Sequence, residues 1–164
     1  MTRMFAASAL VLALAAPGFA QTPLTIAPIS FGDALLEKSE EYGERELERL
    51  ADDLDDALRD ELAGVLGQGG YTLQATIIDA RPNRPTQEQM FARPGLDMRS
   101  ISIGGAEVTA IIVDASGQQI ASYEYAWRTH SLRDVVGASV WYDANRTFRR
   151  FADQIADDID APSS

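Results

Sequence analysis

His130 is the single histidine of this 164-residue chain, and Ser131 and Asp134 lie close to it in sequence. A nucleophile, a base and an orienting acid are the parts of a hydrolytic triad, but a triad is defined by geometry in space. Neighbours on an extended chain point apart, and no Gly-x-Ser-x-Gly elbow accompanies them. A hydrogen-bonded histidine at a strand end is the simpler reading, and we assign no catalytic residue. Asp52, Asp53, Asp55, Asp56, Asp60 and Glu61 form an acidic run. Calcium takes several carboxylate oxygens, but the calcium-loop spacing with its central glycine is missing. A helix splays such groups around its axis, so the run reads as a solvated face and no metal site is assigned. With 25 acids some carboxylate pair always lies close, so their number says nothing about glycoside hydrolysis. The absence of cysteine removes thiol catalysis, Cys-ligated zinc, haem attachment and iron–sulfur clusters. No cofactor is assigned.

The best candidate for function is a group of arginines: Arg81, Arg84, Arg93 and Arg99. Residues 81–99 carry these four cations against only Glu88 and Asp97, whereas residues 37–61 carry twelve acids against four bases, a net of −8. The arginines are therefore a basic patch on an acidic protein. Guanidinium binds carboxylate or phosphate through paired hydrogen bonds. Two readings stay open: the segment neutralises the chain's own acidic helix, or it recognises an anionic ligand or partner. Trp127, Trp141, Tyr142, Tyr123 and Tyr125 can form an aromatic platform, although aromatics at this density more often fill a core.

These residues must be positioned by a small set of elements. Leu24–Phe31 reads as a strand confined by Pro28 to an edge or an extended arm. Across Ser39–Leu66, Leu47, Leu50, Leu54, Leu58, Leu62 and Val65 recur at helical spacing. Ser39 is a candidate cap, Gly43 can delay the start, and Asp55 and Arg59 are spaced to pair. Tyr71–Ala80 alternates as a half-buried strand. Arg81–Met98, with Pro82, Pro85, Pro94 and Gly95, is a long connection holding a short helical turn at Gln87–Phe91. Ser100–Ala115 and Gln119–His130 form a hairpin across Asp114-Ala115-Ser116-Gly117, with Gly104-Gly105 expected as a bulge. Asp143–Ile159 is a second amphipathic helix with Asp143 as its cap.

The order strand, helix, strand, loop, strand, strand, helix predicts an α+β fold. Its mostly antiparallel sheet of three to four strands carries two long amphipathic helices packed on one face. Residues 21–160 are expected to form a single domain, followed by a disordered tail at 161–164. The first twenty residues have the layout of a secretory signal peptide: Arg3, an apolar run of about eleven residues from Ala6 to Ala16, and small residues Gly18 and Ala20. The run is short of the roughly 20 residues of a spanning helix. Cleavage after Ala20 leaves 164 − 20 = 144 residues and moves the net charge from −11 to −12. An acidic surface repels nucleic acid and anionic lipid surfaces.

The segments "GYTLQATIIDARP" and "ISIGGAEVTAIIVDASGQQIASY", followed by a closing helix, resemble a family of small bacterial envelope proteins, many of them lipoproteins, catalogued as domain of unknown function 3313. The resemblance runs over roughly Gly70 to Ile159 and implies an α+β envelope module without a known activity. This chain departs from that family in having no cysteine to carry a lipid.

The expected product is a non-enzymatic periplasmic or secreted envelope protein without a transmembrane segment or lipid anchor. It is expected to bind a protein or an anionic envelope component and not nucleic acid. A small cell-wall hydrolase using carboxylates and a structural homo-oligomer are the alternatives. Mass spectrometry of the exported protein should find Gln21 as its first residue, and an intact Met1 or Thr2 terminus would remove the export reading.

Overall fold

The computed structural model describes residues 23–67 and 69–160, so the signal-peptide segment and the 161–164 tail lie outside the described residues. The described chain runs β1 (Leu24–Ile26), β2 (Ser30–Phe31), α1 (Asp33–Leu36), α2 (Ser39–Tyr42), α3 (Glu44–Glu61), β3 (Tyr71–Arg81), α4 (Gln87–Ala92), β4 (Gly105–Val113), β5 (Gln119–Arg128) and α5 (Tyr142–Asp160). A 3₁₀ turn at Leu132–Val135 lies between β5 and α5.

The α+β expectation holds, with a larger sheet. Five strands pair in the order β1-β3-β4-β5, with β2 also on β3. The β3–β4–β5 meander is antiparallel, and β1 and β2 run parallel to β3. Pro28 explains the split of the first strand. Without a backbone N–H it interrupts the ladder, and pairing jumps from Ile26↔Leu73 to Ser30↔Thr76.

One face of the sheet is dry. Leu73, Ala75 and Ile77 from β3 and Val108, Ala110 and Ile112 from β4 are buried beneath Leu50, Leu54 and Leu58 of α3 and Phe148, Phe151 and Ile155 of α5. Each of the leucine, isoleucine, valine and phenylalanine side chains contributes about 1.5–3 kcal/mol through burial. The helices pack on each other, and α5 lies over β4 and β5. On the opposite face Gln74, Glu107, Ser122, Glu124, Ala126 and Arg128 are exposed.

Several local expectations are corrected. Gly43 divides the long helix, since at φ 95° it leaves the helical basin and separates α2 from α3. A Cβ there would also stand 2.5 Å from the Glu88 carboxyl carbon of α4. Ser39 makes no side-chain cap bond, while the expected Arg59–Asp55 pair forms at 2.5 Å. Gly104-Gly105 is not a bulge: β4 begins at Gly105, and the register irregularities fall at Ile77/Asp79 and Ile112/Val113. Close approach explains the glycines. A Cβ on Gly105, at φ 149°, would sit 2.2 Å from the Trp127 carbonyl oxygen, and one on Gly104 would sit 2.5 Å from Asn83 Oδ1.

Asp143 lies within the first turn of α5, buried, rather than capping it from outside. Its backbone N–H donates to Asn83 Oδ1 at 2.9 Å, and its Oδ2 accepts from Asn83 Nδ2 at 2.6 Å. Removing the Asn83 amide strands a buried carboxylate. Asn83→Ala is therefore expected to lower unfolding stability by about 3 kcal/mol, and Asp143→Asn by distinctly less. Urea unfolding of both variants checks this, and an Asn83→Ala midpoint equal to that of the parent contradicts it.

Candidate functional site

Four segments converge beside the end of β3 and enclose a cleft of about 410 Å³. Lys38 and Tyr42 come from the α2 region, Arg81 and Pro82 from the β3 end, Gln89 and Arg93 from the α4 region, and Ile101 and Ile103 from the approach to β4. α4 is short but well anchored. Thr86 Oγ1 accepts from the Gln89 N–H at 3.2 Å, and Gln89 Oε1 accepts from the Thr86 N–H at 3.1 Å, closing a capping box. The Ile101–Ile103 wall is held to β3 by the Ser102 N–H, which donates to Asn83 O at 2.8 Å, and by Ser102 Oγ, which donates to Pro82 O at 2.5 Å.

Three cations face this cleft, each in a different state. Lys38 Nζ is bound to Asp79 Oδ1. Arg93 Nη2 donates to Glu41 Oε1 at 3.0 Å, and Gln89 Nε2 donates to the same oxygen at 2.8 Å. Arg81 makes no ion pair among the described residues. Tyr42 is buried at the rim of the core, donating to Ala80 O at 3.2 Å and meeting Trp141 edge-on at 5.6 Å. Burial, followed by the nearby Asp79 and Glu41 charges, pushes the Tyr42 phenol up to about 12. Its hydroxyl therefore stays a neutral donor across the physiological range.

The four arginines singled out by sequence are not brought to one place. Arg81 and Arg93 face the cleft, and Lys38 joins them from outside the basic segment. Arg84 turns to another pocket, donating from Nε to Ala138 O and from Nη1 to Met98 O, both at 2.5 Å. Arg99 is exposed, and its backbone N–H bonds Asp97 Oδ1 at 2.7 Å. The Arg93–Glu41 bond shows that the basic segment does neutralise part of the acidic helical region.

Other candidate constellations fall apart in space. His130 is exposed, and Ser131 Oγ instead accepts from the Arg133 N–H at 3.2 Å to cap the 3₁₀ turn. Trp141 lies in the core with Nε1 donating to Glu46 Oε2 at 2.6 Å, whereas Trp127 is stacked by Arg146 at 4.6 Å and Arg150 at 5.2 Å. Trp141 is thus set apart in the core, while Trp127 and Tyr142 flank one guanidinium, Arg146 lying 5.9 Å from the Tyr142 ring. Among the described residues no group of three metal-ligating side chains converges, and no helix is long and apolar enough to cross a membrane.

Two solved structures are similar to this chain in outline. One is a protein described as a lipoprotein from Caulobacter crescentus, at 16% identity and a TM-score of 0.43, covering 89% of this chain and 96% of its own. The other is a minor lipoprotein from Acinetobacter baumannii, at 17% identity and a TM-score of 0.42, covering 84% and 91%. No protein-family model and no curated protein matches the chain, so the resemblance to domain of unknown function 3313 has no family model behind it.

The raised Tyr42 phenol has a measurable consequence. Between about pH 10 and 12 the unfolded tyrosine has lost its proton while the folded one keeps it, so stability present below pH 10 is lost as pH rises. Tyr42→Phe should lose less over that window, by up to about 2 kcal/mol. Parallel alkaline unfolding curves for the two proteins would contradict the burial of this hydroxyl.

Proposed function

We propose that this chain is a non-enzymatic module of the bacterial envelope, and that the cleft beside the β3 end takes an anionic group of an envelope component. The observation that carries this reading is the convergence of Lys38, Arg81 and Arg93 on one apolar-walled cleft, with Arg81 left without an ion pair among the described residues. A guanidinium facing an open cleft keeps its paired donors available for phosphate or carboxylate. Pro82, Pro85, Leu96, Ile101 and Ile103 give the same cleft an apolar wall. The matching ligand carries an anion next to an apolar group.

The overall charge of −11 fits this reading rather than opposing it. Long-range repulsion keeps the body off an anionic surface, while a local cluster of cations acts within the roughly 8 Å screening length of physiological salt. Selection by the cleft is then local.

Octyl phosphate, octanoate and the uncharged octyl glucoside are suitable probes for calorimetric titration. The two anions are expected to bind, the glucoside to bind at least tenfold more weakly, and Arg81→Gln to weaken the anions by about tenfold. Arg99→Gln serves as a control that leaves binding unchanged. Equal affinity for charged and uncharged probes would overturn the reading.

A further inference from the structure

Among the described residues β5 is the free edge of the sheet, ten residues long, paired to β4 on one side only. Sheets protect such edges with proline, charged side chains (lysine above all), bulges or a covering element. β5 contains no proline and no lysine, and the register irregularity of this hairpin lies at Ile112/Val113, away from the Glu124–Arg128 end. Its charges are Glu124 and Arg128, of opposite sign, which a second strand can match.

The direction of its backbone groups is fixed by the ladder. The Thr129 N–H donates to Gly104 O at 3.2 Å, on the β4 side. Along an antiparallel strand these groups alternate sides, so those of Arg128, Ala126 and Glu124 point outward. Their side chains share the exposed face of the sheet.

We propose that β5 pairs antiparallel with β5 of a second copy of this chain, about a twofold axis at Ala126. In that register Glu124 lies opposite Arg128 of the second copy, and Arg128 lies opposite its Glu124. The outward backbone groups of all three residues are used, since each pair exchanges both N–H···O bonds. On the helix face Tyr125 meets Trp127 of the second copy, an aromatic cross-strand pair. Moving the axis to Glu124 sets like charges face to face, which disfavours that alternative.

Charge along α5 agrees with the same axis. Its first half carries Arg146, Arg149 and Arg150, and its second half Asp153, Asp157 and Asp158. Tyr123 Oη bonds Asp158 at 2.8 Å, while Trp127 is covered by Arg146 and Arg150, so α5 runs opposite to β5. A twofold that reverses β5 also reverses α5, bringing its basic half alongside the acidic half of the second copy. Glu124 makes no ion pair among the described residues, and Arg128, paired with Asp79 at 3.5 Å, is exposed and would share its charge with the second copy.

A pairing of this kind buries less than the roughly 1,200 Å² of stable interfaces, so association should depend on concentration. The test is sedimentation velocity of the purified protein in 0.15 M salt over a hundredfold concentration range. The parent is expected to shift from monomer toward dimer, and Glu124→Arg and Arg128→Glu each to remain monomeric. Mixing these two variants should restore the dimer, because every facing pair is again of opposite charge, and so should the double variant carrying both changes. Recovery cannot come from a misfolded chain, so rescue separates loss of pairing from loss of fold. A parent monomeric at all concentrations, or a mixture that does not associate, would overturn the proposal. Neither result decides the cleft reading, whose test is ligand binding at Arg81.

Discussion

Asn83 is the residue on which the rest of the structure hangs. It follows the last residue pair of β3 and ties together three segments distant in sequence. Its backbone N–H donates to Val140 O at 2.7 Å, its backbone oxygen accepts from Ser102, and its side-chain amide both donates to and accepts from Asp143. The end of β3, the approach to β4 and the start of α5 are thereby fixed at one buried point. Hydrogen bonds to a carboxylate in a dry site are stronger than neutral ones, and they leave more damage when broken. Asp143 Oδ1 has no hydrogen-bond partner among the described residues, so the amide of Asn83 carries the compensation for that buried carboxylate.

The cleft is a consequence of this clamp. With Ser102 held to Asn83 and Pro82, Ile101 and Ile103 are carried to the cleft wall instead of extending β4. Gly104 has to be glycine because the Asn83 amide occupies the space of a Cβ. Gly105 then lets the strand begin against the Trp127 carbonyl. α4 closes the other side, fastened through its capping box and through the bonds from Gln89 and Arg93 to Glu41.

The parts of the fold written in periodicity were legible in the sequence. The leucines of α3, the alternation of β3, the hairpin at Asp114–Gly117 and the stripe of α5 all depend on local spacing, and all form close to where that spacing puts them. The misreadings have a common cause, which is contact between remote segments. Gly104-Gly105 looks like a bulge until Asn83 and Trp127 are known to press on it. Asp143 looks like an outside cap until Asn83 is seen to take it into the core. The Thr86-x-x-Gln89 capping box was a local signal that could have been read and would have fixed α4 more firmly. At the site, the basic segment announced Arg81 and Arg93. Neither the diversion of Arg84 to carbonyl oxygens nor the arrival of Lys38 from just before α2 could be read, because both depend on the path of a loop with no period.

Asp79 places the cleft and the sheet edge in one electrostatic chain. One of its oxygens holds Lys38 at the cleft, and the other faces Arg128 on β5 at 3.5 Å. A ligand that draws Lys38 away leaves Asp79 more available to Arg128, which opposes edge pairing. Engagement of Arg128 by a second copy leaves Asp79 more available to Lys38, which opposes the ligand. Such coupling is reciprocal by thermodynamic necessity. Its size is bounded by the pairs that carry it. Arg128 is substantially exposed, and partly solvated ion pairs are worth about 0–1 kcal/mol, so the two events modulate each other by a few-fold at most. The geometry therefore favours a protein in which ligand and edge pairing act largely independently, joined by one shared carboxylate that tilts the balance slightly toward one at a time.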